Sequence, residues 1–504
     1  MTDDRRRKKP RGSLGGTTEI TGPVVRPSPR VGRVWRERAQ WVVRGVGPPT
    51  VAIGLPGSDD AVSQRHARSV IDLALRVAEA LLATGASAAD VVATVLRLTS
   101  AYGVRSLHVD ITFTSITISI HRGLGEDPLT VMRVIRVRSH DFSRLQAVLR
   151  LVDEVTSRVD RGEEPPDLDE TRDRLSSILS APHPYRRWVV TLGNAVLAAG
   201  VVVLFDAGPL MWLLAALSAA VVDRVQRRLW RLGLAAFFTQ AVSAAIPTTV
   251  AVLLYWLESH GIDVPGVYSP SLVVISGIIV LLAGLTVMGA AQDALDGYYV
   301  TAGGRGLEML MLTAGILAGI SVVLVVANRL EVQMEIKPFV GLTSNPLVSV
   351  LAAVIIGIGF AMSTYTGPRA ALVAAAVAGL GQLAYQLFGL LSLGQATTVF
   401  LAATVVGTIG YLAAQRLQVP EVAVSTAGIV SMLPGLAVYR ALFWVIQDSA
   451  GLVTTAMVEF FRALTIGLGL AAGLSIGGFL ARRRVGLDRA AVRALRWRQR
   501  SGPR

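Results

Sequence analysis

Hydrophobic and polar positions divide the chain into two regimes. From about Ser63 to Gly162 they recur at the spacings of a small soluble α+β fold. Val70, Leu73, Ala74, Val77, Ala80 and Leu81 return every three or four residues and predict a helix that Gly85 ends. A second helix is predicted from Ala88 to Tyr102. Alternation follows: Leu107, Val109 and Ile111, then Ile116, Ile118 and Ile120, read as paired strands, with a third over Val131–Val137. Asp141 is placed to cap a helix running through Val159, and a short helix is expected over Thr171–Leu179.

Beyond residue 187 the pattern changes to long apolar runs that reach or approach the roughly 20 residues needed to cross hydrocarbon. Ten segments are expected, at 188–205, 209–222, 232–257, 271–291, 307–327, 346–362, 370–388, 396–414, 422–446 and 457–481. The predicted fold is a polytopic α-helical membrane protein of about ten spans in two inverted five-helix repeats, preceded by a small cytoplasmic α+β domain. The expected divisions are a disordered basic tail (1–62), the α+β domain (63–162), a linker (163–187), a first half (188–330), a connecting loop (331–345), a second half (346–484) and a basic C-terminal tail (485–504).

The repeat is legible locally. Gly277–Val287 reappears as Gly428–Val438 with six of eleven positions identical, 151 residues later, and the same offset lays Glu308 on Glu459. A five-helix unit is odd, so consecutive copies point in opposite directions, an architecture recurrent in secondary transporters.

Charge fixes the expected orientation. The chain carries a formal +14, but residues 1–49 hold +8 and residues 482–504 another +8, so the remainder sums to about −2. Both flexible ends read as cytoplasmic anchors on anionic lipid, and no basic face suits nucleic acid. Arg224, Arg227, Arg228, Arg231, Arg305, Arg369 and Arg416 fall in loops expected inside. The loops around 206–208, 258–270, 389–395 and 448–456 lack Lys and Arg, while 328–345 is the exception with Arg329 and Lys337. The positive-inside rule places both termini in the cytoplasm of a bacterial inner membrane. Residues 1–60 show no apolar run of signal-peptide type. Cysteine is absent, which excludes disulfides and Cys-ligated metal; no metal or other cofactor is expected.

Ionisable residues in or beside spans are costly unless paired, so each is a candidate site. Asp293, Asp296, Arg305 and Glu308 in the first half, and Arg440, Glu459 and Arg462 in the second, are the substrate or coupling candidates. Glu308 and Glu459 are either proton carriers or carboxylates complementing a helix start. An arginine among these can hold a substrate carboxylate. Pro247 with Thr248, and Pro434 with Gly435, interrupt their spans and either open a polar cavity or kink the helix; Gly284 stands at the equivalent place in the first copy. Thr248 or Ser276 can meet a hydroxyl. Ser139-His140-Asp141 offers a hydrolase reading, but sequence neighbours rarely form a triad and no nucleophile elbow is present.

Several stretches resemble the bacterial threonine/serine exporter family: Gly85-Ala-Ser with Asp90-Val-Val, Tyr102-Gly-Val104, Val131-Met-Arg-Val-Ile-Arg-Val137, and above all Leu282–Thr301 running on to Arg305 and Glu308, with Leu433-Pro-Gly435 and Tyr439-Arg440 in the second half. The resemblance covers roughly 65–484. It implies a cytoplasmic N-terminal domain, two five-helix parts, and export of L-threonine and L-serine driven by the membrane potential or proton gradient. It marks Asp293, Gly297, Arg305, Glu308, Pro434 and Gly435 as motif positions. Ala283-Gly284 departs from the Pro-Gly expected there.

The function expected is therefore a proton-motive-force-driven exporter of small hydroxy amino acids, with substrate and protons as partners and self-association left open. The alternatives are a membrane-anchored hydrolase and a ligand-sensing regulatory protein, both acting through the N-terminal domain.

Overall fold

A computed structural model of the chain describes residues 64–104, 107–120, 128–135, 141–262, 264–265, 269–281, 284–332, 343–417, 419–446 and 452–500. The basic segment ahead of Gln64, together with Ser139, His140 and Ala283, lies outside the described residues, as does most of the expected loop 331–345.

The mixed α/β segment follows its periodicities. Helices α1 (Gln64–Ala83) and α2 (Ala88–Ala101) precede three antiparallel strands in the order β1 (Leu107–Thr112), β2 (Ser115–Ile120), β3 (Leu129–Val134). Leu107 faces Ile120 and Ile111 faces Ile116 across the first pair; Ile120 faces Leu129 across the second. One face of the sheet meets α1, and Leu73, Leu81, Ile116, Ile118 and Leu145 are fully buried in the common core. Helix α3 (Phe142–Asp160) starts where Asp141 accepts the N–H groups of Ser143 and Arg144, both at 3.1 Å. Helix α4 (Leu168–Ser180) is tied back by a 2.8 Å hydrogen bond between the Tyr102 hydroxyl and Thr171 Oγ1.

The apolar part comprises α5 (Arg187–Leu204), α6 (Pro209–Arg231), α7 (Ala236–Ser259), α8 (Ser271–Leu281), α9 (Gly284–Leu295), α10 (Tyr299–Arg329), α11 (Pro346–Ser363), α12 (Pro368–Gly389), α13 (Gln395–Leu417), α14 (Glu421–Ile429), α15 (Gly435–Ile446) and α16 (Leu452–Arg500). Among the described residues eight helices are long and apolar enough to cross a membrane: α5, α6, α7, α10, α11, α12, α13 and the Thr454–Ala481 part of α16. The protein is a multi-pass, predominantly helical membrane protein.

Four expectations change. The second span does not stop at 222: α6 continues to Arg231, carrying the arginines assigned to a loop. The fifth begins at Tyr299 rather than 307, so Arg305, expected in a loop, is helical. The expected spans 271–291 and 422–446 are each represented by two shorter helices. In the second, a 3-10 turn at Val430–Met432 and extended backbone at Leu433 (ψ 144°) separate α14 from α15, because Pro434 has no N–H to continue the ladder. The C-terminal basic stretch continues α16 to Arg500 rather than forming a flexible tail.

Helices on either side of residue 340 match in packing and, all but the last, in length. α5 starts at Arg187 and α11 at Pro346, 159 residues on; α6 and α12 start at Pro209 and Pro368, again 159 apart. Asp206 and Tyr365, at the same offset, both take a left-handed φ of 55–58° in the turns between those helices. Each first helix packs on its second and fourth, each second on its third and fourth, each third on its fourth, and each last on the helix before it and on the third.

Close contacts confirm the register. A Cβ on Gly277 would stand 2.6 Å from the Pro247 ring, and one on Gly428 would stand 2.5 Å from Val406. The offset drops from 159 to 151 between third and fourth helices, where residues 418–420 replace 260–270. A Cβ on Gly315 would stand 2.5 Å from the Phe237 carbonyl, and one on Gly469 2.9 Å from that of Ala396, so α16 follows α10 at an offset of 154.

Helices α5 and α11 cross antiparallel at glycines. Gly193 lies against Gly359 and Ser363, Gly200 against Ile355 and Ile356, and Thr343 N–H donates to Leu204 O at 2.9 Å. Small residues permit such backbone approach between membrane helices.

Candidate functional site

Three places in the apolar part gather polar groups. The first lies where α9 gives way to α10. Asp293, on the last turns of α9, is wholly buried, and Arg305, two turns into α10, is 8% exposed. Arg305 Nη1 lies 2.9 Å from Asp293 Oδ2. Gly289 makes room for the guanidinium, since a Cβ there would stand 2.7 Å from Nη1. Between them, Asp296 and the left-handed Gly297 (φ 88°) turn the chain. Burial and the carboxylates of Asp296, Asp293 and Asp110 push the Tyr298 phenol, in that turn, up to about 12.

This pair is engaged by the α/β segment. Ala88 N–H, at the first position of α2, donates to Asp293 Oδ1 at 3.0 Å, and Arg305 Nη2 donates to Ala86 O at 3.2 Å. Asp293 thus sets a carboxylate on the N-terminus of α2, where the unsatisfied N–H groups and helix dipole favour an anion. One turn away Thr301 Oγ1 donates to Ile111 O at 2.9 Å and accepts from Phe113 N–H at 3.2 Å. Phe113, at φ 35°, fills the space left by Gly304.

The same segment also touches the turn after α11. Phe142 N–H donates to Thr364 O at 3.1 Å, and His183 Nδ1 is 2.8 Å from Asp141 Oδ2 while its ring stacks on Tyr365 at 4.2 Å. Arg187 Nη1 donates to the Tyr365 hydroxyl at 2.9 Å. Asp141 is spent on its helix cap and on His183.

The second place is the helix interruption of the second half. Gly435 opens α15 against Ile279 of α8, where a Cβ would stand 2.5 Å from Ile279 Cγ1. The short α8 is buried on nearly every side, as is α14. Ser431, in the 3-10 turn, donates to Gln382 Oε1 at 3.2 Å, and Gln382 Nε2 donates to Ser349 Oγ at 3.1 Å.

The third place was not read from the sequence. Asp223 of α6, 7% exposed, accepts from Thr191 Oγ1 at 2.6 Å and Asn194 Nδ2 at 3.2 Å, and pairs with Arg227 one turn on. An acid followed by arginine at i+4 is itself a helix signal. Reading it would have extended the second span and exposed this carboxylate. The equivalent positions of α12, 159 residues on, are Gln382 and Gln386.

The remaining candidates are placed as follows. Glu308 is half-buried on α10, one turn past Arg305, and Arg440 is half-buried on α15. Glu459 and Arg462 pair at 3.5 Å on α16, and Arg462 Nε donates to Gln395 Oε1 at 2.8 Å. The packing offset of 154 sets Glu459 at the place of Arg305 and Arg462 at that of Glu308. The correspondence of Glu308 with Glu459 is therefore corrected, because more residues separate α15 from α16 than separate α9 from α10. Pro247 does not break its span as expected: α7 runs unbroken through it from Ala236 to Ser259 and the proline ring seats Gly277. The Thr248 and Ser276 hydroxyls donate to their own helices, at Ala244 O (2.8 Å) and Val273 O (3.0 Å). Gly284 is the first residue of α9.

Residues 72–327 match the family model described as "Putative threonine/serine exporter", and residues 349–480 match that described as "Threonine/Serine exporter, ThrE". A Mycobacterium tuberculosis protein named "Probable threonine/serine exporter" is 36% identical over 428 residues, 83% of this chain and 78% of the relative. A Corynebacterium glutamicum protein named "Threonine/serine exporter" is 32% identical over 428 residues, 84% of this chain and 85% of the relative. No solved structure matches the chain. With both halves matched and two relatives aligned over most of their length, the chain belongs to the threonine/serine exporter family, a family of transporters rather than enzymes.

Proposed function

We propose that this chain is a secondary transporter that exports small hydroxy amino acids, L-threonine and L-serine, from the cytoplasm at the expense of the proton motive force. Its membrane part is two inverted five-helix copies, α5–α10 and α11–α16, in which α8 with α9, and α14 with α15, each act as one discontinuous span. The α/β segment is a cytoplasmic domain, both termini are cytosolic, and the basic ends lie on anionic lipid.

The observation that carries the reading is the crossing of α5 and α11. Gly200 meets Ile356 and Gly359 meets Leu197. Exchanging the halves at an offset of 159 turns one contact into the other, as a two-fold axis in the membrane plane requires. Two copies related in this way supply the equivalent inward- and outward-facing packings that alternating access uses.

The discontinuous spans meet at Ile279 and Gly435, and the substrate path runs beside them. There the interrupted backbone and the Gln382–Ser431 pair offer polar groups without a buried charge. Glu308 is the proton-coupling candidate. Efflux of labelled L-threonine from loaded cells with and without the chain, and with a protonophore, tests the reading. Export that collapses with the gradient is expected; equal efflux in both strains would remove it. Glu308→Gln should retain export down a threonine gradient and lose its dependence on pH.

A further inference from the structure

The contact of the α/β segment with Asp293 and Arg305 has the chemistry of a bound ligand. The segment presents one N–H donor, from Ala88, to the carboxylate, and one carbonyl acceptor, from Ala86, to the guanidinium. The two groups are two residues apart, and both side chains they meet are buried. A zwitterionic α-amino acid presents the same pair: an ammonium donor and a carboxylate acceptor on one carbon. It would do so with full charges, and hydrogen bonds between ionised partners are shorter and roughly twice as strong as neutral ones.

The geometry points to Asp293 and Arg305 as an entry site for the backbone groups of a free amino acid, which the Ala86–Ala88 segment of the chain's own cytoplasmic domain occupies as a built-in competitor. The inference rests on the export reading and deepens it. Asp293 receives the substrate ammonium, Arg305 its carboxylate, and the side chain is left free, so the site recognises the class and the path beyond selects the hydroxyl. Departure of the domain and arrival of substrate are then one exchange. Thr301 and the seat of Phe113 on Gly304 hold the docked state beside the site without entering it.

The surroundings fit an exchangeable contact. Neither domain residue uses a side chain in it, and Ser87 between them caps α2 through its own bond from Asp90 N–H, independently of Asp293. Helix α2 therefore keeps its cap when Asp293 lets go. Ala88 is the first residue of α2, a position that tolerates proline, and Ser87 already has the extended backbone a following proline requires (ψ 154°). Ala88→Pro removes that donor and leaves the helix able to form.

Two experiments on the full chain test this. The chain has no cysteine, so Phe113→Cys with Gly304→Cys reports docking alone by oxidative cross-linking in inverted membrane vesicles. Saturating L-threonine or L-serine is expected to slow cross-linking several-fold, while lactate and ethanolamine, each carrying one half of the zwitterion, leave the rate unchanged. In transport, a domain docked nine-tenths of the time raises the apparent KM about tenfold over the bare site. Ala88→Pro should therefore lower KM toward that limit with little change in maximal rate. Cross-linking indifferent to threonine in vesicles that export threonine would overturn the inference and leave the export reading standing, as would an unchanged KM in Ala88→Pro. Absence of threonine export by the unsubstituted chain would overturn both.

Discussion

Gly359 lies so close to Gly193 across the α5–α11 crossing that a Cβ on Gly359 would stand 2.7 Å from the Gly193 carbonyl oxygen. It would also stand 2.5 Å from the Leu197 nitrogen. Both obstacles are backbone and neither can swing aside. Gly359→Val must push the two helices apart at the point where the halves join, and overpacking of this kind costs about 1–3 kcal/mol. Thermal unfolding in detergent should show the loss. Gly303→Ala, with nothing within 4 Å of the added methyl, should match or exceed the parent because alanine is the better helix former. If both variants melt with the parent, the crossing is not the tight contact described.

Asp223 and Arg227 make a second, sharper case. Asp223→Ala leaves Arg227, Thr191 and Asn194 without their shared acceptor, and stripping one partner from a buried ion pair costs about 3–5 kcal/mol. Arg227 is partly exposed (21%), which favours the lower figure. Asp223→Gln with Arg227→Gln introduces the amides of Gln382 and Gln386 of α12, which both donate to Ser349 Oγ. Val190 stands at the place of Ser349, and the neighbouring Thr191 hydroxyl would take the acceptor's part. The double variant should recover most of the stability the single one loses. A double variant as unstable as Asp223→Ala would show that the two clusters are not interchangeable.

These two cases mark what sequence reasoning can and cannot reach. Apolar run length and strand alternation located nearly every element, because hydrocarbon thickness and the two-residue strand period leave few alternatives. The Pro434-Gly435 interruption was legible for the same reason: proline has no N–H. Asp223 was missed because its arginine neighbours read as loop, and nothing local announces that Thr191 and Asn194, some thirty residues earlier, supply its donors. The role of Asp293 was hidden differently. Its partner is a backbone N–H 205 residues away, and backbone groups carry no sequence signature. The Glu308–Glu459 correspondence failed because one offset was extended across a connection whose length differs between the halves.

Tyr102 gives a pH dependence. Burial raises its phenol pKa above the ordinary 10, outweighing the hydrogen bond to Thr171. The folded state therefore favours the neutral form. The resulting stability is present in full below pH 10 and fades as pH climbs through the raised value. At neutral pH, Tyr102→Phe should weaken the attachment of α4 by about 1 kcal/mol, the usual net worth of one hydrogen bond. Hydrogen exchange in α4 would reveal the gap, and it should narrow as pH rises past 10. A gap that widens there would mean the phenolate is the form the fold prefers.

Thr301 is the strictest test of how the α/β segment is held. Its hydroxyl is the partner of both Phe113 N–H and Ile111 O; Thr301 is fully buried, while Phe113 is half-buried. Thr301→Val keeps shape and volume while removing the buried donor to Ile111 O and the acceptor for Phe113 N–H, the buried loss costing about 1–3 kcal/mol. Phe113 holds a left-handed backbone (φ 35°) that few residues adopt unaided, so the β1–β2 turn should relax once the bond is gone. Hydrogen exchange at the Phe113 amide is expected to accelerate by at least about tenfold, the equivalent of 1.4 kcal/mol. The Ala88 amide, held separately by Asp293, should change less. Equal acceleration at both amides would show that the segment leaves as one body, and no acceleration at Phe113 would remove Thr301 from the contact altogether.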